Sequence, residues 1–529
     1  MPVPADVVCP AKPGRGERSG GVGRLSKPAA WLVPDVSLVA ALATLLYCFT
    51  LFNGLQKLFR DSDSGWHIRT GESILASGSL PHSDPYSFTR AGQPWLAWEW
   101  GSDVLIGGVH RVGGLPAVAM LYGAAIAACT WLWFRLHWAV GGNFLLACAM
   151  AAPMLSTANL HWLARPHLLS WLFVLGAVWC AERVSWRWRS CLWVALGTAL
   201  WANLHASFLF APALPLLYAG AHFLRPWIWE MNSAAEREKA RWFLLAAASA
   251  LGGSLLNPYG WNLHLHVFRY LGDSELLGRI GEFQSFNFHA EGATQILLAL
   301  GIAAVGAVLA LGQKRLAQFL LSAALIVMAL RSARGLPLVA LVGLPLANGA
   351  ITEGLRACRN LRPRLRSWLD GFLDYSEGLR RLDAGLDGRA VALAVVLLAL
   401  LWIRTPAVAA RTGFPPDQFP VKAAGAIEKL PQGIRLLAPD KYGGYLIYRF
   451  QGKRKVFFDG RSDFYGAEYM KRYVRLMQVR PGWREQLQAV GFTHALLPND
   501  YSLVAALEQA GWKRLYRDEL ATLLERPRG

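Results

Sequence analysis

The chain has 529 residues, 54% of them hydrophobic and only 17% charged, where an ordinary soluble domain carries roughly 25% charged residues. A mean hydropathy of +0.28, with the apolar residues gathered in long blocks, excludes a disordered chain and a soluble globule. Lys and Arg exceed Asp and Glu by 54 − 35 = 19. Basic loops facing anionic lipid account for that excess without nucleic acid as a partner, and 23 Trp suit a protein anchored at two membrane interfaces.

The first 35 residues form a basic tail carrying Lys12, Arg15, Arg18, Arg24 and Lys27. Blocks of membrane-spanning length follow near 36–58, 115–134, 143–160, 168–182, 190–204, 206–224, 242–257, 293–312, 316–330, 336–350 and 389–405, eleven in all. The first lies too far in, and lacks the small-residue cleavage site, for a removed signal peptide. The positive-inside rule places the N-terminus in the cytoplasm. Arg183, Arg187 and Arg189, then Lys314 and Arg315, then the Arg-rich segment 351–389 fall on that same side. The reading is a multi-pass protein of the plasma (inner) membrane. A module 36–405 is followed by an extracytoplasmic region 406–529, and the loops 59–114 and 258–292 face outward. The seven Cys avoid all three outer segments, so no structural disulfide is expected.

The first outer loop opens with Arg60-Asp61-Ser62-Asp63-Ser64-Gly65-Trp66-His67. Carboxylates at i and i+2, with a His four residues after the second, hold a divalent cation such as Mg²⁺ or Mn²⁺, or act as a general base. A helix starting near Ser64 puts Asp63 and His67 on one face. The same residues also read as the start of an interfacial helix over 65–77, capped by Asp63 or Ser64. The loop runs on through Pro81-His82-Ser83-Asp84-Pro85-Tyr86 to Trp95-Leu96-Ala97-Trp98-Glu99-Trp100. Long loops in compact proteins are usually functional, and this aromatic end suits the headgroup layer or a sugar ring.

Polar and basic groups recur at the outer ends of later spans: His161, Arg165 and His167; Asn203 and His205; Asn257; Arg331 and Arg334. Ionisable groups near membrane depth are costly and tend to be functional. An anionic lipid phosphate gives the arginines a reason to be there; snorkelling or pairing with the acids of the first loop is the structural alternative. His264-x-His266 lacks further ligands and reads as a surface pair.

In the last 120 or so residues the pattern turns α/β. Strands are expected over Ile434–Ala438, Lys455–Phe458 and Thr493–Leu497, and a helix near 500–510. Tyr442-Gly443-Gly444-Tyr445 and Asp459-Gly460-Arg461 follow the first two strands, either as plain turns or as ligand loops. No nucleotide-binding glycine motif follows a strand.

A long first outer loop opening with Asp-x-Asp, on a polytopic chain with a small outer C-terminal region, resembles the GT-C superfamily. Those are membrane glycosyltransferases that use polyprenyl-phosphate-linked sugars, protein mannosyltransferases and aminoarabinose transferases among them. The run Asp61 to Trp100 carries most of the likeness, with Trp201-Ala202-Asn203-Leu204-His205 and Asn257-Pro258-Tyr259-Gly260. The chain lacks the WWD motif of oligosaccharyltransferases and the trefoil-type insert of protein mannosyltransferases. The resemblance implies an α-helical polytopic GT-C-like fold with a small C-terminal α/β domain. It implies inverting transfer of a hexosyl or pentosyl group from a polyprenyl-phosphate donor to an extracytoplasmic glycan, lipid or protein. Asp61 and Asp63 are then catalytic, with a divalent cation on the same pair compatible, and His67, Glu99, Arg165, Asn203, His205, Arg331 and Arg334 bind substrate. Two other functions fit the composition. A transporter or flippase of lipid-linked glycans would show inverted repeats and polar residues at mid-span. A non-catalytic envelope-assembly protein would use region 406–529 as its binding module.

Overall fold

The computed structural model describes residues 27–50, 54–183 and 187–527. Cys9, Lys12, Arg15, Arg18 and Arg24 lie outside them. Each of the eleven apolar blocks falls on a helix or a broken helix. Five described helices are long and apolar enough to cross a membrane: Trp100–Ala139, Phe144–His161, Ala206–Ile228, Ala293–Gly312 and Ala333–Ala357. Shorter apolar helices occupy Val36–Thr50, Leu316–Arg331 and Arg389–Trp402. The other blocks fall short of that standard for visible reasons. His167–Arg183 and Trp188–Leu204 stop at 17 residues each, and Ser233–Ser254 begins with the charged run Glu236-Arg237-Glu238-Lys239. The architecture is that of a multi-pass membrane protein.

Ala333–Ala357 is the axis of the bundle. Its most apolar stretch is 94% buried within the protein, against 39–44% for the other four long helices. Small residues let neighbours approach it closely: a Cβ on Gly306 would lie 2.2 Å from that of Ala347. This axial helix loosens into a π turn over Val339–Gly343. There the Ala340 carbonyl accepts the Trp133 indole N–H at 3.0 Å, so the irregular backbone keeps its polar groups satisfied away from water. The helix Trp100–Ala139 bends at Gly113 and Gly114, just before Pro116, where the first loop was expected to end.

The C-terminal region holds a four-stranded sheet of order β1-β2-β4-β3, with β1 Leu436–Leu437, β2 His494–Pro498, β3 Lys513–Arg517 and β4 Ala521–Glu525. β1 and β2 are parallel and the other pairings antiparallel. Two of the expected strands and the helix Ser502–Gln509 are present. The third expected strand, Lys455–Phe458, is not in the sheet. Val456 instead pairs with Ser87 in the first loop, exchanging backbone hydrogen bonds with Tyr86 and Phe88. Tyr442-Gly443-Gly444-Tyr445 is neither turn nor ligand loop but the middle of the helix Asp440–Arg449. Its glycines are packing surfaces. A Cβ on Gly444 would meet the Ser62 carbonyl at 2.1 Å, and one on Gly65 would meet the Gly444 carbonyl at 2.2 Å. One hydrophobic core therefore runs from the bundle through Phe59, Trp66 and Trp95 of the loop into Phe414, Tyr442 and Leu523.

Candidate active site

The Asp-x-Asp segment opens the helix Asp63–Ser77. Neither Asp63 nor Ser64 caps it. The Asp63 amide donates to Asp61 Oδ1 at 2.8 Å, and Ser64 Oγ donates to the Ala164 carbonyl at 3.0 Å. That frees the Asp63 carboxylate, which is only 6% exposed, for another partner. The partner is Arg165, whose guanidinium spans both acids, with Nη1 2.7 Å from Asp61 Oδ2 and Nη2 3.0 Å from Asp63 Oδ2. Nη1 also lies 3.2 Å from Glu282 Oε1, and Glu282 Oε2 in turn accepts from Arg334 Nε at 2.7 Å. A continuous chain Asp63–Arg165–Glu282–Arg334 results, with Asp61 bound to the first arginine. Burial raises the Asp63 carboxyl to about 7, the charge of Asp61 adding to it and Arg165 working against it. Burial acts to raise Glu282 as well, but Arg165 and Arg334 outweigh it and hold that carboxyl well below the usual range.

A second polar line runs behind the same helix. His67 Nδ1 is 2.5 Å from Asp103 Oδ1, and its Nε2 faces Glu99 Oε2 at 3.8 Å. The other Glu99 oxygen lies 3.5 Å from His205 Nε2. Burial raises Glu99 to about 8, against the pull of Arg165 and with Asp463 and Asp63 adding to the rise. His205 is pushed down to about 3 by burial, then by Arg334 and Arg165, and burial likewise keeps His67 neutral. Burial thus favours the neutral form of Glu99 and of the two imidazoles that flank it, an arrangement suited to hydrogen-bonding a hydroxyl.

The C-terminal region supplies the third wall. Gly460 passes so close to the first acid that a Cβ there would lie 1.8 Å from Asp63 Oδ1. Next to it the Arg461 guanidinium, 2% exposed, is held by Asp459 at 2.8 and 2.7 Å and by Asp84 at 2.8 Å. Asp463 Oδ2 lies 3.1 Å from His266 Nε2, and Ser462 Oγ lies 3.1 Å from the Tyr270 hydroxyl.

These walls enclose a cavity of about 480 Å³, within the range of small-molecule sites. Of the residues singled out in the sequence, Asp63, Glu99, Arg165, His205 and Arg334 border it, with His161 and His167. Trp66, Trp95, Trp98 and Tyr270 give it ring faces, the Trp98 ring stacking with His205 at 6.4 Å. Asp61 and His67 stand one residue behind the lining, on Arg165 and Glu99. Asn203 is away from it: its Oδ1 accepts from Trp100 Nε1 at 2.9 Å, and its Nδ2 bonds the carbonyls of Ala199 and Leu256. Arg331, the last residue of Leu316–Arg331, is exposed and does not line the cavity. Asn257 closes a local turn onto Tyr259. His264 and His266 point apart, to Ser254 and to Asp463.

Glu282, Asp103 and Asp463 have no local motif to announce them, whereas Gly460 and Arg461 of the Asp459-Gly460-Arg461 segment do line the cavity. Glu282 and Asp463 are single acids in segments of mixed polarity, and only tertiary structure brings them to Arg165 and His266. Asp61, Asp63 and Glu282 are oxygen ligands of the kind that bind Mg²⁺ or Mn²⁺. As arranged they fit the Arg165 guanidinium instead, which lies where a shared cation would sit. Among the described residues no group of three His, Cys, Asp or Glu is placed to hold a metal ion.

No protein-family model matches the chain, and neither does any curated protein. Solved structures do. The chain is similar to the oligosaccharyltransferase of Archaeoglobus fulgidus tethered to an acceptor peptide containing an NVT sequon, with a TM-score of 0.52 and 10% identity over 87% of this chain and 69% of that one. The archaeal oligosaccharyltransferase AglB from Archaeoglobus fulgidus, with an inhibitory peptide and a dolichol-phosphate, gives 0.51 and 10% over the same shares. The Archaeoglobus fulgidus oligosaccharyltransferase in the apo form gives 0.51 and 11% over 88% and 69%. The likeness is one of fold: over 87% of its length this chain is built as that oligosaccharyltransferase is built.

Proposed function

We propose that the protein transfers a sugar from a polyprenyl-phosphate-linked donor to an acceptor hydroxyl outside the cytoplasmic membrane, with inversion at the anomeric carbon. The observation that carries this reading is the placement of a buried carboxyl, Asp63, paired with Arg165 and joined through Glu282 to Arg334, in a cavity walled by tryptophans. A similar fold bound to dolichol-phosphate makes a lipid-linked phosphate the natural donor chemistry. In the proposed step Asp63 takes the acceptor's proton as its oxygen forms the new bond to C1. The bond from C1 to the phosphate oxygen breaks, and the electron pair leaves with the phosphate. Arg334, which borders the cavity and is 36% exposed at its side chain, is placed to meet the charge that develops there. Asp61 and Glu282 hold Arg165 in register, and Glu99, with His67 and Asp103 behind it, binds a sugar hydroxyl. Of the two arginines expected to serve the leaving group, Arg334 has the position for it. The orientation proposed has the N-terminus cytoplasmic and loops 59–114 and 258–292 outside with region 406–529.

The test is turnover by the purified protein in lipid nanodiscs, with radiolabelled polyprenyl-phosphate hexoses and pentoses as donors and a glycan, lipid or peptide acceptor. Transfer by wild type and none by Asp63→Asn supports the proposal. Donor that crosses sealed vesicles without being consumed would instead make the protein a transporter.

A further inference from the structure

A second cavity, of about 420 Å³, lies on the far side of the Asp-x-Asp segment and shares no lining residue with the first. Its polar lining is Tyr47, Gln56, Lys57, Arg60, Asn159 and Gln418, with no carboxylate among the described residues. The site is built rather than incidental. Lys57 is 5% exposed, donates from Nζ to the Tyr47 hydroxyl at 3.1 Å and sits 4.4 Å from the centre of that ring. Arg60 donates from Nε to the Lys57 carbonyl at 3.0 Å, which fixes its guanidinium at the cavity wall beside Asn159. Asn159 Oδ1 is a buried acceptor with no partner. Arg60 and Asp61 are neighbours in sequence yet serve opposite cavities, since Asp61 turns toward Arg165.

Two cations in a carboxylate-free pocket favour an anion, and Arg favours phosphate oxygens in particular. The pocket opens where the helices Val36–Thr50 and Phe144–Ala158 end, at the Asp63 end of the bundle, with the segment that follows the last apolar helix as its other wall. That is headgroup depth for a protein spanning a bilayer, and basic pockets between spans bind anionic headgroups. We propose that this cavity holds the phosphate of an anionic phospholipid such as phosphatidylglycerol, as a site separate from the transfer cavity. The inference rests on the membrane reading of the helices and not on the transfer reaction.

The experiment is native mass spectrometry of the full chain purified in neutral detergent, titrated with phosphatidylglycerol or with phosphatidylcholine. Wild type should retain one phosphatidylglycerol in preference to phosphatidylcholine. Arg60→Gln should weaken that retention by roughly 10- to 100-fold, the usual worth of a charge-assisted contact, and Arg60→Lys should restore part of it. Inorganic phosphate added in excess should leave the lipid bound. Equal retention of the two lipids by wild type, or unchanged retention by a folded Arg60→Gln, overturns the proposal. Displacement by inorganic phosphate overturns the lipid assignment in favour of free phosphate. The wild-type preference stands as a test even if Arg60→Gln fails to fold.

Discussion

Asp63 is bound on one side by Arg165 and open to the cavity on the other, so its two readings separate cleanly in a conservative variant. Asparagine keeps the shape but cannot take a proton. As a general base Asp63 is worth about 100- to 10,000-fold in turnover, and Asp63→Asn should lose that much while its melting transition persists, because the Asp63 side chain does not cap the helix, whose first amide donates to Asp61. Wild-type turnover should rise as pH passes about 7, where burial has placed the carboxyl; near-wild-type turnover of the variant would move the base to Glu99. Glu99 makes a different test. Burial raises its carboxyl from 4.5 to about 8, so between those values the folded protein holds a proton that the unfolded chain has released. Its stabilisation is complete below about pH 4.5 and is lost as pH rises through about 8. Melting curves of wild type and Glu99→Gln should therefore diverge with rising pH, the variant gaining; parallel curves would mean that Glu99 titrates as it does in water. Asp61 and Asp63 stood out in the sequence as the Asp-x-Asp that opens the first outer loop, Glu99 as the acid in its aromatic end, and Arg165 because a charge at membrane depth needs a reason. Arg331 and Arg334 were not separable, since three residues and one helix end decide which faces the cavity.

Among the elements, the contact between Asp440–Arg449 and Asp63–Ser77 governs the geometry of the site. Gly65 and Gly444 bring the two helices to backbone contact, and Gly460 threads past Asp63 where no side chain fits. Gly444→Ala should loosen that contact and destabilise the protein by about 1–3 kcal/mol, the usual effect of overpacking, read as a lowered melting temperature. Gly460→Ala should act on activity first, because the atom displaced is a carboxylate oxygen of Asp63. The sequence showed these glycines but not their purpose. A glycine needed for a turn and one needed for close approach look alike until the partner is known. The same holds for Lys455–Phe458, whose β character is genuine but whose partner is Tyr86–Phe88, some 370 residues earlier, and local pattern carries no record of so distant a strand.

For the whole molecule, each apolar block falls on a helix or a broken helix, but hydropathy could not rank them. The buried axis Ala333–Ala357 reads much like a helix facing lipid, because the core of a membrane protein and its lipid-facing surface are equally apolar. The orientation has a direct check. Reporters of sidedness at Gly78 and Gly491 should label the same face of the membrane, opposite the N-terminus; labelling on opposite faces would separate region 406–529 from the loop it packs against here.

That Asp63 is walled by Gly460 also sets an order on biosynthesis. The acid emerges early in the chain and its wall late, with every apolar helix after Val36–Thr50 inserted in between. In the proposed orientation a nascent protein would therefore be fully integrated in the bilayer and still inert, its cavity open to water until the final segment has crossed and docked. A chain ending after Arg411 should behave as such a stalled intermediate.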